Sequence, residues 1–277
     1  MKIAIIGLGL IGGSLAKAFK TYTDSEVYGL DADAATLAYA KLSEAIDDTL
    51  TDDILPACDV VLIALYPNTA IQVLTEKAPL IKKGALVVDT CGTKRKVCSS
   101  CFAIAETYGF TFVGGHPMAG TQFSGIKYSR ADLFKGASMI LVPPHLDDMA
   151  FLTGIKALFL PLGFAKVTVT TPEKHDEIIA FTSQLAHIVS SAYIKSDTAK
   201  LHHGFSAGSY KDMTRVATLN DTMWTELFLE NRDNLMHEID HIVAALTDFR
   251  NSLAANDGER LSELLREGTA DKSRIDG

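Results

Sequence analysis

Along residues 1–171 short apolar runs alternate with stretches of helical period, and from residue 172 onward the helical period stands alone. Residues 2–6 are almost entirely apolar, as a strand buried on both faces of a parallel sheet should be. The same reading predicts strands at 26–30, 60–65, 86–89, 110–113, 139–142 and 167–169. Helices are predicted between them at 15–19, 70–81, 96–108 and 147–162. Strands that alternate with helices in this way build a parallel sheet covered on both faces. The expected fold is therefore α/β. A Rossmann-type doubly wound parallel sheet over 1–171 is followed by an all-helical substrate-binding and dimerisation domain over 172–277.

In the second half, Thr171 is placed to cap a helix whose first residue is Pro172. Ile178, Phe181, Leu185, Ile188 and Ala192 form one apolar stripe at helical spacing. Asp176, Ala180, Ser183 and His187 form a second face, small and polar, suited to lining a ligand pocket. The alternative for His187 is a satisfied core histidine. Residues 222–255 keep a helical period throughout, which predicts one helix on the order of 50 Å long. A small domain alone does not cover such a helix, so a second copy of the chain is expected against it. The predicted last helix is 259–266, and no pattern is evident from Gly268 on.

Composition narrows the function. A net charge of -8 argues against a nucleic-acid partner. No apolar run approaches a membrane span, and the first residues do not read as a signal peptide, so a cytoplasmic protein is expected. Cys98-Ser99-Ser100-Cys101 has no second Cys/His pair at zinc spacing and lies in a helical stretch. The cysteines are read as reduced thiols, and no metal is expected.

The candidate chemistry lies where strands end. Gly7-Leu8-Gly9-Leu10-Ile11-Gly12-Gly13-Ser14 is G-x-G-x-x-G between a strand and a helix. In such a motif the first glycine makes the tight turn, the second admits a pyrophosphate and the third lets helix pack on strand. Asp31 closes the next strand, where a ribose-binding acid belongs. Gly7, Leu8, Gly9, Leu10, Ile11, Gly12 and Asp31, with Leu65 and Pro67 at a neighbouring strand end, are the candidate cofactor-binding residues. The acid favours NAD over NADP because it would repel a 2′-phosphate, and no arginine follows closely.

At a later strand end, Gly114-Gly115-His116-Pro117 puts a histidine in extended backbone ahead of a loop of small residues. His116 is the candidate base, since imidazole transfers protons near neutral pH. A plain turn with a surface histidine is the alternative. Lys94-Arg95-Lys96 opens a helix, where the macrodipole disfavours cations, which suggests an anionic ligand for Lys94. A solvated basic patch is equally consistent for its two neighbours. Arg215 is a candidate to grip a carboxylate bidentately, or else pairs with Asp212.

Taken together these residues resemble the prephenate/arogenate dehydrogenase family of tyrosine biosynthesis, nearly end to end. The resemblance rests on the glycine motif at Gly7, on Gly115-His116-Pro117-Met118-Ala119-Gly120, and on His175-Asp176 with Ser183-Gln184-Leu185-Ala186-His187. Asp212-Met213-Thr214-Arg215 and Met223-Trp224 complete it. It implies a homodimer, NAD as cofactor and prephenate as small-molecule substrate, with arogenate as the alternative. It also implies His116 as catalytic histidine, Arg215 on a substrate carboxylate and His187 in the same pocket. Two positions depart from the family pattern. Gly92 stands where many members carry a serine hydroxyl, which leaves Thr93 as a possible substitute. Gln122 stands where many carry an acid, at a position that faces the substrate side chain in the family. A neutral Gln122 suits the keto group of prephenate over the ammonium of arogenate, unless it only caps the loop. Two competing readings remain. One is a β-hydroxyacid dehydrogenase or imine reductase, which needs no Gly-His-Pro motif, and the other is a nicotinamide-binding sensor, which needs no His116.

Overall fold

The structure, a computed structural model, describes residues 1–121 and 123–276. Eight strands form one sheet in the order β3-β2-β1-β4-β5-β6-β7-β8. They are β1 (Lys2–Ile6), β2 (Glu26–Leu30), β3 (Asp48–Thr49), β4 (Val60–Ile63), β5 (Leu86–Asp89), β6 (Thr111–Pro117), β7 (Ser138–Val142) and β8 (Lys166–Val169). The order reverses between β1 and β4, and ligands of doubly wound sheets bind outside the carboxyl ends of the strands at that point.

The sheet is not wholly parallel. Thr111 to Val113 of β6 pair in parallel with β5, and Gly114 to Pro117 of the same strand pair antiparallel with β7. The strand thus runs through the two glycines that the sequence suggested would end it. His116 sits inside the ladder, opposite Ile140. Glycine within a strand often marks a close backbone approach. Here a Cβ on Gly115 would lie 2.4 Å from the carbonyl oxygen of Asp89, and one on Gly114 would lie 2.6 Å from Cys98 Sγ.

Helices cover both faces. On one face α1 (Leu10–Tyr22), α2 (Ala34–Leu42) and α5 (Met149–Phe159) enclose a core that includes Leu15, Phe19, Ala40, Phe134 and Phe159. On the other, α3 (Pro67–Lys77) and α4 (Arg95–Tyr108) bury Leu74, Val97, Cys101 and Phe112. The turn from β1 into α1 needs its glycines. Gly7 has φ +91°, and a Cβ on Gly12 would fall 1.8 Å from the Gly7 carbonyl oxygen.

The helical half begins as its sequence predicts, with Pro172 in the first turn and Thr171 Oγ1 accepting from the Lys174 N–H at 3.2 Å. It contains α6 (Pro172–Ile179), a π turn at Ala180–Leu185, α7 (Ala186–Tyr193), α8 (Gly208–Thr214), α9 (Asp221–Glu230), α10 (Arg232–Ala254) and α11 (Gly258–Asp276). The single helix expected over 222–255 is two helices separated by Asn231. Asn231 is fully buried, and its amide donates to the Asp176 carbonyl and to Gln184 Oε1, both at 2.8 Å. α10 alone, with 23 residues, spans about 35 Å. The segment after Gly268 continues α11. Among the described residues no helix is long and apolar enough to cross a membrane.

Candidate active site

The glycine loop leaves the start of α1 open and without a side-chain cap. Gly9 caps α1 without a side-chain hydrogen bond, and a Cβ there would meet nothing within 4 Å. Among the described residues no hydrogen bond from the Leu10, Ile11 or Gly12 N–H outside the helix is found, and the space beside Gly9 is open, an arrangement that suits a pyrophosphate. Asp31 follows β2 immediately, and its carboxylate accepts from the Leu8 N–H at 2.7 Å and the Asp33 N–H at 2.9 Å. It is held beside the loop with lone pairs left for a ribose diol. The Leu8 side chain is buried, so its backbone alone belongs to this site. Leu65 is half-buried and packs over Gly7. Pro67 is buried as the first residue of α3, and the exposed residue at that strand end is Tyr66.

His116 is half-buried where β6 ends. Its Nδ1 lies 2.9 Å from Nε2 of His175, and His175 Nδ1 lies 2.7 Å from Asp176 Oδ1. Asp176 is buried and also accepts from the backbone N–H of Lys94 at 2.7 Å and of Arg95 at 3.0 Å, at the start of α4. Burial pushes the His116 imidazole well below the usual histidine range, and the nearby His175 and Lys94 push the same way. Burial lowers His175 too, against an opposing pull from Asp176. For Asp176 burial acts upward, but the His175 and backbone hydrogen bonds hold the carboxyl below the usual range. A neutral base beside a held carboxylate is the result.

The basic cluster serves the protein itself, contrary to the sequence expectation. Lys94 is fully buried and its Nζ donates to Asp89, which is buried as well. The Asp89 carboxylate also accepts from the Cys91 N–H at 2.8 Å and the Gly115 N–H at 3.1 Å. Burial lowers the Lys94 ammonium, but Asp89, Cys91 and Cys98 together raise it above its ordinary value. Lys94 therefore has neither surface nor free charge for a substrate carboxylate. Arg95 contacts Asp176 at 3.3 Å through Nε and Asp233 at 2.8 Å through a terminal nitrogen. Lys96 lies 3.1 Å from Glu230. Thr93 likewise is buried, and its hydroxyl donates to Glu230 Oε2 at 2.6 Å. It does not supply the hydroxyl missing at Gly92, over which Leu227 packs, its side chain 3.3 Å from where a Cβ would sit.

On the helical side, His187 Nδ1 lies 2.8 Å from the Ser183 carbonyl, and its ring packs 4.0 Å from that of Trp224. A carbonyl only accepts, so Nδ1 carries the proton and the neutral ring presents Nε2 as an acceptor. Burial lowers this histidine, and the charge of Arg215 adds to the shift, which brings those two residues into one neighbourhood. Arg215 is exposed at the end of α8, and no ion pair to it is found among the described residues, so it does not pair with Asp212. Gln122 lies outside the described residues.

Sequence reasoning gave His175 and Asp89 no role and set Asp176 only on a face suited to lining a pocket. A histidine followed by an acid in the first turns of a helix was the available signal. Cys58, Cys91, Cys98 and Cys101 are free, buried thiols, and burial pushes Cys101 up to about 12. No group of three His, Cys, Asp or Glu able to hold a metal is found among the described residues.

The family model "Prephenate dehydrogenase, nucleotide-binding domain" matches residues 15–169, and "Prephenate dehydrogenase, dimerization domain" matches residues 171–267. Cyclohexadienyl dehydrogenase of Zymomonas mobilis is 31% identical, with 99% of this chain and 94% of that protein aligned. Prephenate dehydrogenase of Aquifex aeolicus, solved with hydroxyphenyl propionate and NAD+, superposes with TM-score 0.85 at 28% identity, covering 99% and 98% of the two chains. Synechocystis arogenate dehydrogenase superposes with TM-score 0.82 at 25% identity, covering 99% and 100%. The histidine, the glycine loop and both halves of the fold thus lie in a chain that belongs to the prephenate dehydrogenase family.

Proposed function

We propose that this chain oxidises prephenate with NAD, releasing the ring carboxylate as carbon dioxide and yielding 4-hydroxyphenylpyruvate. The observation that carries the reading is His116, a neutral imidazole at the end of β6 with Nδ1 engaged inside the protein. NAD, when bound, accepts the hydride from the ring carbon that bears the hydroxyl. The free Gly9 helix terminus and the Asp31 carboxylate suit its pyrophosphate and ribose. His116 takes the hydroxyl proton as the carbonyl develops. The bond to the ring carboxylate then breaks, its electron pair makes the ring aromatic, and the phenolate recovers the proton from His116. Arg215, exposed and without an ion-pair partner among the described residues, is the cation suited to a substrate carboxylate. His187 lines the pocket beside it.

A second reading, turnover of arogenate, has one observation in its favour. The Nε2 acceptor of His187 suits an ammonium as well as a hydroxyl. Following reduced-nicotinamide absorbance with NAD and each substrate in turn tests both readings. Faster turnover of arogenate than of prephenate refutes the prephenate assignment, and no turnover of either refutes the proposal.

The chain is also proposed to act as a homodimer through its helical half. Along α10, Met236, Val243, Leu246 and Leu253 are each more than half exposed, an apolar face that suits a second copy. A stable, active monomer in sedimentation would count against this.

A further inference from the structure

We infer that His175 is a positioning residue which, anchored by Asp176, fixes the ring tautomer of His116 and so makes it a base toward substrate. The inference rests on the proposed role of His116. Its argument begins at Asp176, whose two oxygens receive N–H groups from Lys94 and Arg95 at 2.7 and 3.0 Å. A carboxylate so placed is ionised and only accepts. His175 Nδ1, 2.7 Å away, must therefore carry the proton. With that proton on Nδ1, a neutral His175 has a lone pair on Nε2. His116 Nδ1 lies 2.9 Å from that lone pair, and two facing lone pairs would repel, so His116 Nδ1 donates. The remaining ring nitrogen, His116 Nε2, is then unprotonated and free to accept a proton.

The opposite tautomer would place N–H where the substrate hydroxyl must deliver its proton. The same line also serves the next step. When His116 becomes imidazolium, its Nδ1–H already points to His175, whose own Nδ1–H points to an anion. Histidine and acid thus stand in the orienting position that a third group occupies behind any activated base. Two hydroxyls that might have served instead are absent from this role, since Gly92 has none and that of Thr93 is donated to Glu230. The buried carboxylate links the halves of the molecule, because it belongs to α6 yet is held by the first N–H groups of α4. The ring of the base is therefore oriented from the helical half, although the base itself stands on the sheet.

The test reads the tautomer directly. Uniform nitrogen-15 labelling of histidine in the full-length protein, with His116→Ala to identify the signal, should show His116 protonated at Nδ1 and unprotonated at Nε2. The opposite pattern overturns the inference without reference to turnover, so its failure is distinct from failure of the proposed reaction. Kinetics supply the second arm. His175→Leu should lower kcat by about 10²-fold, as loss of orientation does, with KM for NAD within about threefold. His175→Gln, which can offer an amide oxygen near the Nε2 position, should recover at least about tenfold of that loss. Near-normal kcat in His175→Leu, or equal loss in both variants, overturns the positioning role. Should either variant fail to fold, the labelled wild-type protein still decides.

Discussion

Replacing Lys94 by methionine separates two accounts of the basic cluster. In the structure Lys94 and Asp89 are a buried pair, 0% and 1% exposed at their side chains. Methionine matches the lysine stem in length but leaves the Asp89 carboxylate with only the Cys91 and Gly115 N–H groups. Removing one partner of a buried ion pair costs roughly 3–5 kcal/mol, because the other charge stays buried without its counter-ion. At about 2–4 °C per kcal/mol for a protein of this size, the melting midpoint should fall by roughly 10 °C. Adding Asp89→Asn removes the stranded charge and keeps an acceptor, so the double variant should regain more than half of the loss. Calorimetry or urea unfolding measures both. If Lys94 instead binds substrate, Lys94→Met leaves the midpoint unchanged and weakens substrate binding by roughly 2–5 kcal/mol. That outcome would refute the reading of a structural lysine.

Other expectations follow from the same geometry. His116→Ala should lower kcat by roughly 10²–10⁴-fold with NAD affinity nearly unchanged, and retention of near-normal kcat removes the residue from the mechanism. Because His116 is held well below the usual histidine range, kcat/KM for substrate should stay level as pH falls through about 6.5 and drop only at lower pH. An acid limb at or above that value contradicts the neutral-base argument. Asp31→Asn should cost about 10–10²-fold in kcat/KM for NAD and narrow its advantage over NADP, whereas an unmodified enzyme that prefers NADP sinks the ribose assignment. Arg215→Ala should raise the KM for substrate far more than that for NAD, by a loss near the lower end of roughly 2–5 kcal/mol since the residue is exposed. Equal effects on both ligands would argue for a merely structural arginine.

The sheet was legible because its buried strands are nearly pure apolar runs, and the glycine loop because its spacing has a mechanical purpose at each position. What escaped the sequence was tertiary. Gly114 and Gly115 look like the end of a strand, yet they stay in it because Asp89, Lys94 and Cys98 press against that backbone. Lys94 looks like a cation without a helix-stabilising reason, and its partner Asp89, only five residues earlier, becomes close only through the turn after β5. Asn231 interrupts a continuous apolar period because its amide satisfies a carbonyl and a side chain of distant residues. Across α6 and the π turn the apolar stripe misled. Ile178 and Phe181 are exposed while His175, Asp176 and Gln184 are buried, since polar groups that hydrogen-bond to one another are tolerated inside.

The π turn at Ala180–Leu185 sets an angular phase. His175 and His187 are twelve positions apart, which in a regular α-helix leaves them about 120° out of phase. A π turn absorbs one extra residue, so the effective spacing becomes about eleven positions and the two rings return to within about 20° of one face. Winding the same residues as regular α-helix would restore the offset of about 120° and swing His187, with its contact to Trp224, away from the face that carries His175. The widened turn thus acts as a one-residue insertion that the helix absorbs without loss of alignment, so deleting one residue here should keep the phase near about 20° and retain turnover, whereas adding one should rotate His187 by about 100° and lower it.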